Sequence, residues 1–222
     1  MVQLHDLLVR QEKEAPGLFE TMFATHPMSR ERRDTARHLA DSQYLSSQKS
    51  PPQRERFMDQ TSGLRRLKPT IDDLKRGESR MSQKKLDLAR EDFRSALRRA
   101  PDDYAANLRM AQCLQAQGQS REALRYAESA SRIYPQEAQA HKMAGVLALE
   151  QREPARAYQR FDQFDRLLPG DPGTTFLKGV AQEGQGNRQA AATLYGQYLR
   201  QSQQGSAAQY AAGRLQSWGY LK

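Results

Sequence analysis

The chain has almost no cysteine: Cys113 is the only one in 222 residues. No internal disulfide can form, and the redox compartment is left open. Long apolar runs are also missing, and none approaches the ~18 residues that a bilayer-spanning helix needs. No membrane span is therefore expected. The opening Met1-Val2-Gln3-Leu4-His5-Asp6 lacks a basic segment ahead of an apolar core. It does not read as a signal peptide, although a precursor or longer parent could carry one. Apolar residues make up 37% of the chain, and the mean hydropathy is −0.90. That is polar for a compact globule but suits a solenoid, which is thin and exposes much surface.

Charge of one sign is not concentrated anywhere, although the net charge is +9. Residues 1–69 carry 12 basic and 9 acidic groups, residues 70–103 carry 9 and 8, and residues 104–222 carry 14 and 9. Nucleic-acid binders gather basic residues on one face, often with aromatics between them. Here Arg65-Arg66 and Arg98-Arg99 are isolated doublets. The excess reads as a solvated surface, and no nucleic-acid partner is expected.

What the sequence does hold is a period. Pro101, Pro135 and Pro169 fall 34 residues apart. Ahead of each lies a helical pattern such as Ala89-Arg90-Glu91-Asp92-Phe93-Arg94-Ser95-Ala96-Leu97. A fixed period of this size signals stacked two-helix units. Aligned on the prolines, the units start at Thr70, Tyr104, Ala138 and Pro172. Position eight is Gly77, Ala111, Gly145 and Gly179, and position twenty is Ala89, Ala123, Ala157 and Ala191. Position twenty-four is Phe93, Ala127, Phe161 and Tyr195, and position fourteen is Gln83, Gln117, Gln151 and Gln185. Small residues at eight and twenty let the helices of a unit approach closely, and position twenty-four is expected to fill the seam to the next unit. Proline at position thirty-two stops the second helix.

On these positions residues 70–203 resemble the tetratricopeptide repeat. The resemblance implies an all-α, right-handed superhelical solenoid of four repeats that binds protein or peptide segments. The pattern weakens at its ends, with Arg80 at position eleven, where a bulky apolar residue is usual, and Gln203 in place of the closing proline. Residues 204–222 read as a C-terminal capping helix, with Trp218 and Tyr220 expected to cover exposed core.

In such an array the first helices line a groove. Its candidate residues are Leu74, Leu108, Gln112, Lys142, Val146, Phe176 and Val180. The repeat subclass that clamps a chaperone's C-terminal carboxylate uses Lys and Asn at such places, and only Lys142 would fit. That specificity is not expected; an apolar or extended polypeptide segment suits the groove better. Position twenty-nine is an arginine in every copy: Arg98, Arg132, Arg166 and Arg200. Each falls in the last turn of a second helix, where positive charge complements the helix dipole. An anionic partner reading the row is the alternative.

Residues 1–69 do not share the period. Ser29 supplies an N-cap for a helix over 30–46 with Ala36, Leu39 and Ala40 on one side. Residues 46–52 are polar and proline-punctuated, and residues 53–67 read as one or two short helices, broken near Thr61-Ser62-Gly63, that cap the first repeat. Leu18-Phe19, Phe23, Thr25-His26-Pro27 and Arg32 resemble the end of the catalytic domain in BepA-like and HtpX-like zinc metallopeptidases. Several bacterial members are exported and continue into a repeat tail. The resemblance implies that residues 1–49 are the terminal fragment of such a domain and residues 50–69 a linker and helical cap. It makes His26 a regulatory group near the metal, and Arg32 a buried or pairing charge that fixes its loop.

That family's zinc site needs His-Glu-x-x-His, two imidazoles on one helix face with a glutamate to activate water. His5, His26, His38 and His141 do not provide it. No catalytic residue, metal ligand or cofactor is assigned to this chain, and zinc would belong to the parent. The expectation is the C-terminal interaction module of a bacterial envelope zinc metallopeptidase, in the periplasm or cell envelope. The alternative is a free-standing adaptor in the cytoplasm whose first 69 residues are simply a helical cap.

Overall fold

The computed structural model describes residues 29–45 and 54–221, together with Val2, Leu4, Asp6 and Val9. Helices and their connections account for these residues, with no strand among them. The chain divides into two compact units, Met1–Thr61 and Ser62–Lys222. The first contains α1 (Ser29–Ser42) and α2 (Arg54–Gln60). Ala36, Leu39 and Ala40 lie half-buried on one side of α1, whereas α2 buries none of its residues.

The second unit is the array. It contains α3 (Ser62–Ser82), α4 (Leu86–Arg99), α5 (Tyr104–Ala116), α6 (Ser120–Ile133), α7 (Ala138–Glu150), α8 (Pro154–Leu167), α9 (Pro172–Gly184), α10 (Arg188–Gln201) and α11 (Ser206–Ser217). Each helix packs on its neighbours in sequence, and the first helices α3, α5, α7 and α9 also touch in succession. They form the inner row of the curve.

The prolines end the second helices by constraining the residue before them. Ala100, Tyr134 and Leu168 take φ of −139°, −134° and −137° with ψ of 79°, 80° and 79°. A residue preceding proline is pushed out of the helical region, so the chain leaves each helix just ahead of Pro101, Pro135 and Pro169. An acid then opens the next first helix. Asp103 accepts from the Ala106 N–H at 2.8 Å, and Asp171 accepts from the Gly173 and Thr174 N–H groups, each at 3.2 Å. Glu137 stands at the same place before α7. A carboxylate here satisfies free N–H groups and suits the positive end of the dipole.

Each repeat closes on a small residue. A methyl group added at Gly145 would sit 2.5 Å from the Phe161 ring, and one at Gly179 would sit 2.6 Å from Tyr195. Gly77 faces Phe93 in the same way. Repeat two has Ala111 and Ala127 at these positions, both fully buried. This corrects the expectation for position twenty-four, whose aromatic ring fills the seam inside its own repeat as well as the one beyond. Phe93 shares a core with Met110 and Ala111, and Phe161 shares one with Ala181.

The first repeat departs from the register in two ways. Its leading helix begins at Ser62, not Thr70, and runs through Pro69. Residues 62–69 are therefore continuous with the first repeat and not a separate cap. The break falls at Thr61, and the ion pair of Lys68 with Asp72 at 2.5 Å spans the proline. The second departure explains Arg80. Where repeat two buries Leu114, repeat one is ionic. Asp73 and Asp92, 4% and 5% exposed, receive Arg76, Arg80 and Arg99. Arg80 lies 2.8 Å and Arg76 3.2 Å from Asp92. A buried carboxylate left unpaired would be strongly destabilising, so these arginines are the condition on which α3 and α4 dock.

Candidate functional site

The groove candidates divide between packing and surface. Leu108 is buried with Ala130 and Ala140, and Leu74 packs half-buried against the core that contains Phe93 and Met110. Gln112 accepts from Arg109 at 2.8 Å, and Arg109 also pairs with Glu78 at 2.5 Å. The N-terminal half of the inner row is thus polar and closed by its own contacts. Val146, Phe176 and Val180 are half-buried and give the C-terminal half an apolar character.

Lys142 is not free for a ligand carboxylate. Its ammonium lies 2.6 Å from Asp171 and 4.9 Å from the centroid of the Phe164 ring. Burial pushes the Asp171 carboxyl up, but hydrogen bonds from Lys142 and Thr174 and the ammonium charge outweigh it and hold its pKa below the usual value. Lys142 therefore fastens α7 to the cap of α9. The regular acid after each proline (Asp103, Glu137, Asp171) was the available signal for this contact.

Phe176 anchors an aromatic group, with ring centroids 5.7 Å from Tyr195, 5.3 Å from Tyr198 and 5.9 Å from Tyr210. Beside it, Glu183 accepts from Tyr195 at 2.7 Å and Tyr210 at 3.2 Å, and pairs with Arg214. Burial first, then the bond to Glu183, raise the pKa of the Tyr195 hydroxyl far above its ordinary value. It remains a donor, and the network locks α11 onto α9 and α10. Sequence reasoning passed over Glu183, although it is the only acid at position twelve, where Met81, Gln115 and Leu149 stand in the other repeats. Trp218 lies over Tyr195 at 6.2 Å, whereas Tyr220 is 53% exposed and covers no core.

Arg98, Arg132, Arg166 and Arg200 are all exposed in the last turns of α4, α6, α8 and α10. They are not equivalent, because Arg166 pairs with Asp162 at 2.7 Å. His26 lies outside the described residues. Arg32 is exposed on α1, so of the two roles that the resemblance implied, a buried or a pairing charge, the buried one does not hold. The helix phase instead turns Arg33 toward the half-buried side with Ala36 and Ala40, and Arg33 pairs with Asp34 at 2.8 Å. Among the described residues no group of His, Cys, Asp or Glu side chains could hold a metal ion, so the residues seen do not fit a zinc site. No described helix is long and apolar enough to cross a membrane.

Residues 80–147 match the tetratricopeptide repeat family. No curated protein matches the chain. Among solved structures it is similar to YrrB, a tetratricopeptide protein with an unusual peptide-binding site. The two are 18% identical over 72% of this chain and 83% of that one, with a TM-score of 0.61. It is similar to MamA at 14% identity, over 60% of this chain and 72% of that one, with a TM-score of 0.57. A third is the first tetratricopeptide domain of Spaghetti (RPAP3), bound to an HSP90 peptide. Here identity is 13% over 54% of this chain and 94% of that one, and the TM-score is 0.52. At these identities the likeness is one of fold. The array has the fold of a tetratricopeptide solenoid.

Proposed function

We propose that the array holds an extended polypeptide segment along its inner row, with the apolar contacts made in the C-terminal half. The observation that carries this reading is the division of that row. Its first half is closed by Glu78, Arg109 and Gln112, while Val146, Phe176 and Val180 keep partly open apolar surface. Peptide binding by YrrB and by the RPAP3 domain supports the mode, and the engagement of Lys142 by Asp171 argues against a terminal-carboxylate clamp.

The test is binding of a panel of extended peptides to the full chain, repeated with Val146→Lys and Val180→Glu. Both substitutions are expected to weaken apolar peptides by about tenfold or more, since each removes buried apolar contact and places a charge in it. Unchanged affinity in both variants would sink the reading.

The wider role is proposed from the Thr25-His26-Pro27 segment. The chain would form the C-terminal part of a bacterial envelope zinc metallopeptidase, presenting polypeptides to a catalytic domain that carries the metal. Finding an upstream His-Glu-x-x-His in the same reading frame would support this role. Translation that begins at Met1 in the cell would instead make the chain a free-standing adaptor.

A further inference from the structure

Repeats two and three carry the same shallow cleft, one period apart. In repeat two it measures about 300 Å³ and is lined by Asn107 of α5 and by Glu122, Arg125, Tyr126, Ser129 and Arg132 of α6. In repeat three it measures about 340 Å³ and is lined by Gln159, Arg160, Asp162, Gln163 and Arg166 of α8. Positions twenty-two, twenty-three, twenty-six and twenty-nine form both. The difference lies in where the carboxylates go.

In repeat three the cleft is neutralised from within. Asp162 sits 2.7 Å from Arg166, and Arg160 reaches Glu128 at 3.2 Å. The counterpart of Asp162 in repeat two is Glu128 itself, one period earlier. Glu128 is drawn away across the repeat boundary, where Arg156 holds it at 2.6 Å. Glu122 is taken up by Arg90 at 3.4 Å, and the Asn107 amide donates to the Pro101 carbonyl at 2.8 Å. Arg125 and Arg132 are left exposed, and neither makes an ion pair among the described residues. Ser129 falls between them on the same helix face, four residues after one and three before the other.

We propose that the repeat-two cleft takes an oxyanion carried by a partner polypeptide, a carboxylate or a phosphorylated side chain, between Arg125 and Arg132. Repeat three is the internal precedent, since there an arginine at position twenty-nine binds the carboxylate within its reach. Guanidinium groups favour such oxygens because their forked donors match them. The cleft is open to water, so the contact is weakened by salt. It belongs to the second helices and leaves the inner row free.

The experiment uses the full chain and three labelled peptides that differ at one position, phosphoserine, glutamate or serine, with binding followed by fluorescence anisotropy. The phosphoserine or glutamate peptide is expected to bind and the serine peptide not; whichever of the first two binds more tightly identifies the source of the oxyanion. R125Q/R132Q should weaken binding about tenfold, while R166Q, whose guanidinium is already committed to Asp162, leaves it unchanged. D162N should add a second site by freeing Arg166. Equal binding of all three peptides, no binding by any, or equal losses in R166Q and R125Q/R132Q would each overturn the proposal. So would an RNA oligonucleotide that displaces the peptides.

Discussion

At the scale of single residues, the clearest constraint is the glycine–aromatic contact within a repeat. Gly145→Ala forces the Phe161 ring to move in a packed core, at a cost of about 1–3 kcal/mol. Phe161→Ala alone leaves a cavity and costs about 3–5 kcal/mol. The double variant recreates the Ala111 and Ala127 pair of repeat two, so it should lose less than the sum of the single changes. Urea unfolding monitored by circular dichroism measures all three, and strict additivity would contradict the contact. These columns were plain in the letters, because small residues recur at fixed places. The pairing of Arg80 with Asp92 was not. It joins position eleven to position twenty-three, and it appears only once two antiparallel helices bring the columns together.

Among the helix pairs, α3 and α4 stand apart because charge holds them. Burial pushes the Asp73 carboxyl up, but hydrogen bonds from Ser95 and Arg76, and the charges of Arg99 and Arg76, lower its pKa below the ordinary value of 3.8. A carboxyl whose folded pKa is depressed contributes stability above its unfolded pKa and loses it as pH falls through the folded one. Protection of α3 and α4 amides from hydrogen exchange should therefore drop as pH falls below about 4. Asp73→Asn should remove most of that pH dependence while lowering protection at neutral pH. A pH response identical to that of the native chain would show that Asp73 is not its source. Lys142, a groove candidate on α7, is likewise engaged by charge. Its partner Asp171 is the last residue of the same repeat and the cap of α9, and only the docking of α7 against the start of α9 reveals the contact.

Across the whole molecule, the fold was legible because each repeat meets only its neighbours, so a local period carries almost all the information the architecture needs. The candidate site was less so, since the seven groove positions share a register but not an environment, as buried Leu108 and half-buried Val146 show. Neighbour-only packing also sets an order of stability. The central helices α5 to α8 have partners on both sides, whereas α3 and α11 end the array. Hydrogen exchange should be slowest in α5 to α8 and fastest in α3 and α11. Uniform protection would instead mean that the array opens as one body.

The succession of contacts among α3, α5, α7 and α9 has a mechanical side. Bending the array to straighten it must part these helices, while bending it further must compress side chains that are already close-packed. The inner row therefore resists bending in either direction, as a spring does. A chain segment laid across several repeats would fix the radius of that spring, so occupancy of the groove and the curvature of the outer surface are coupled by elasticity alone.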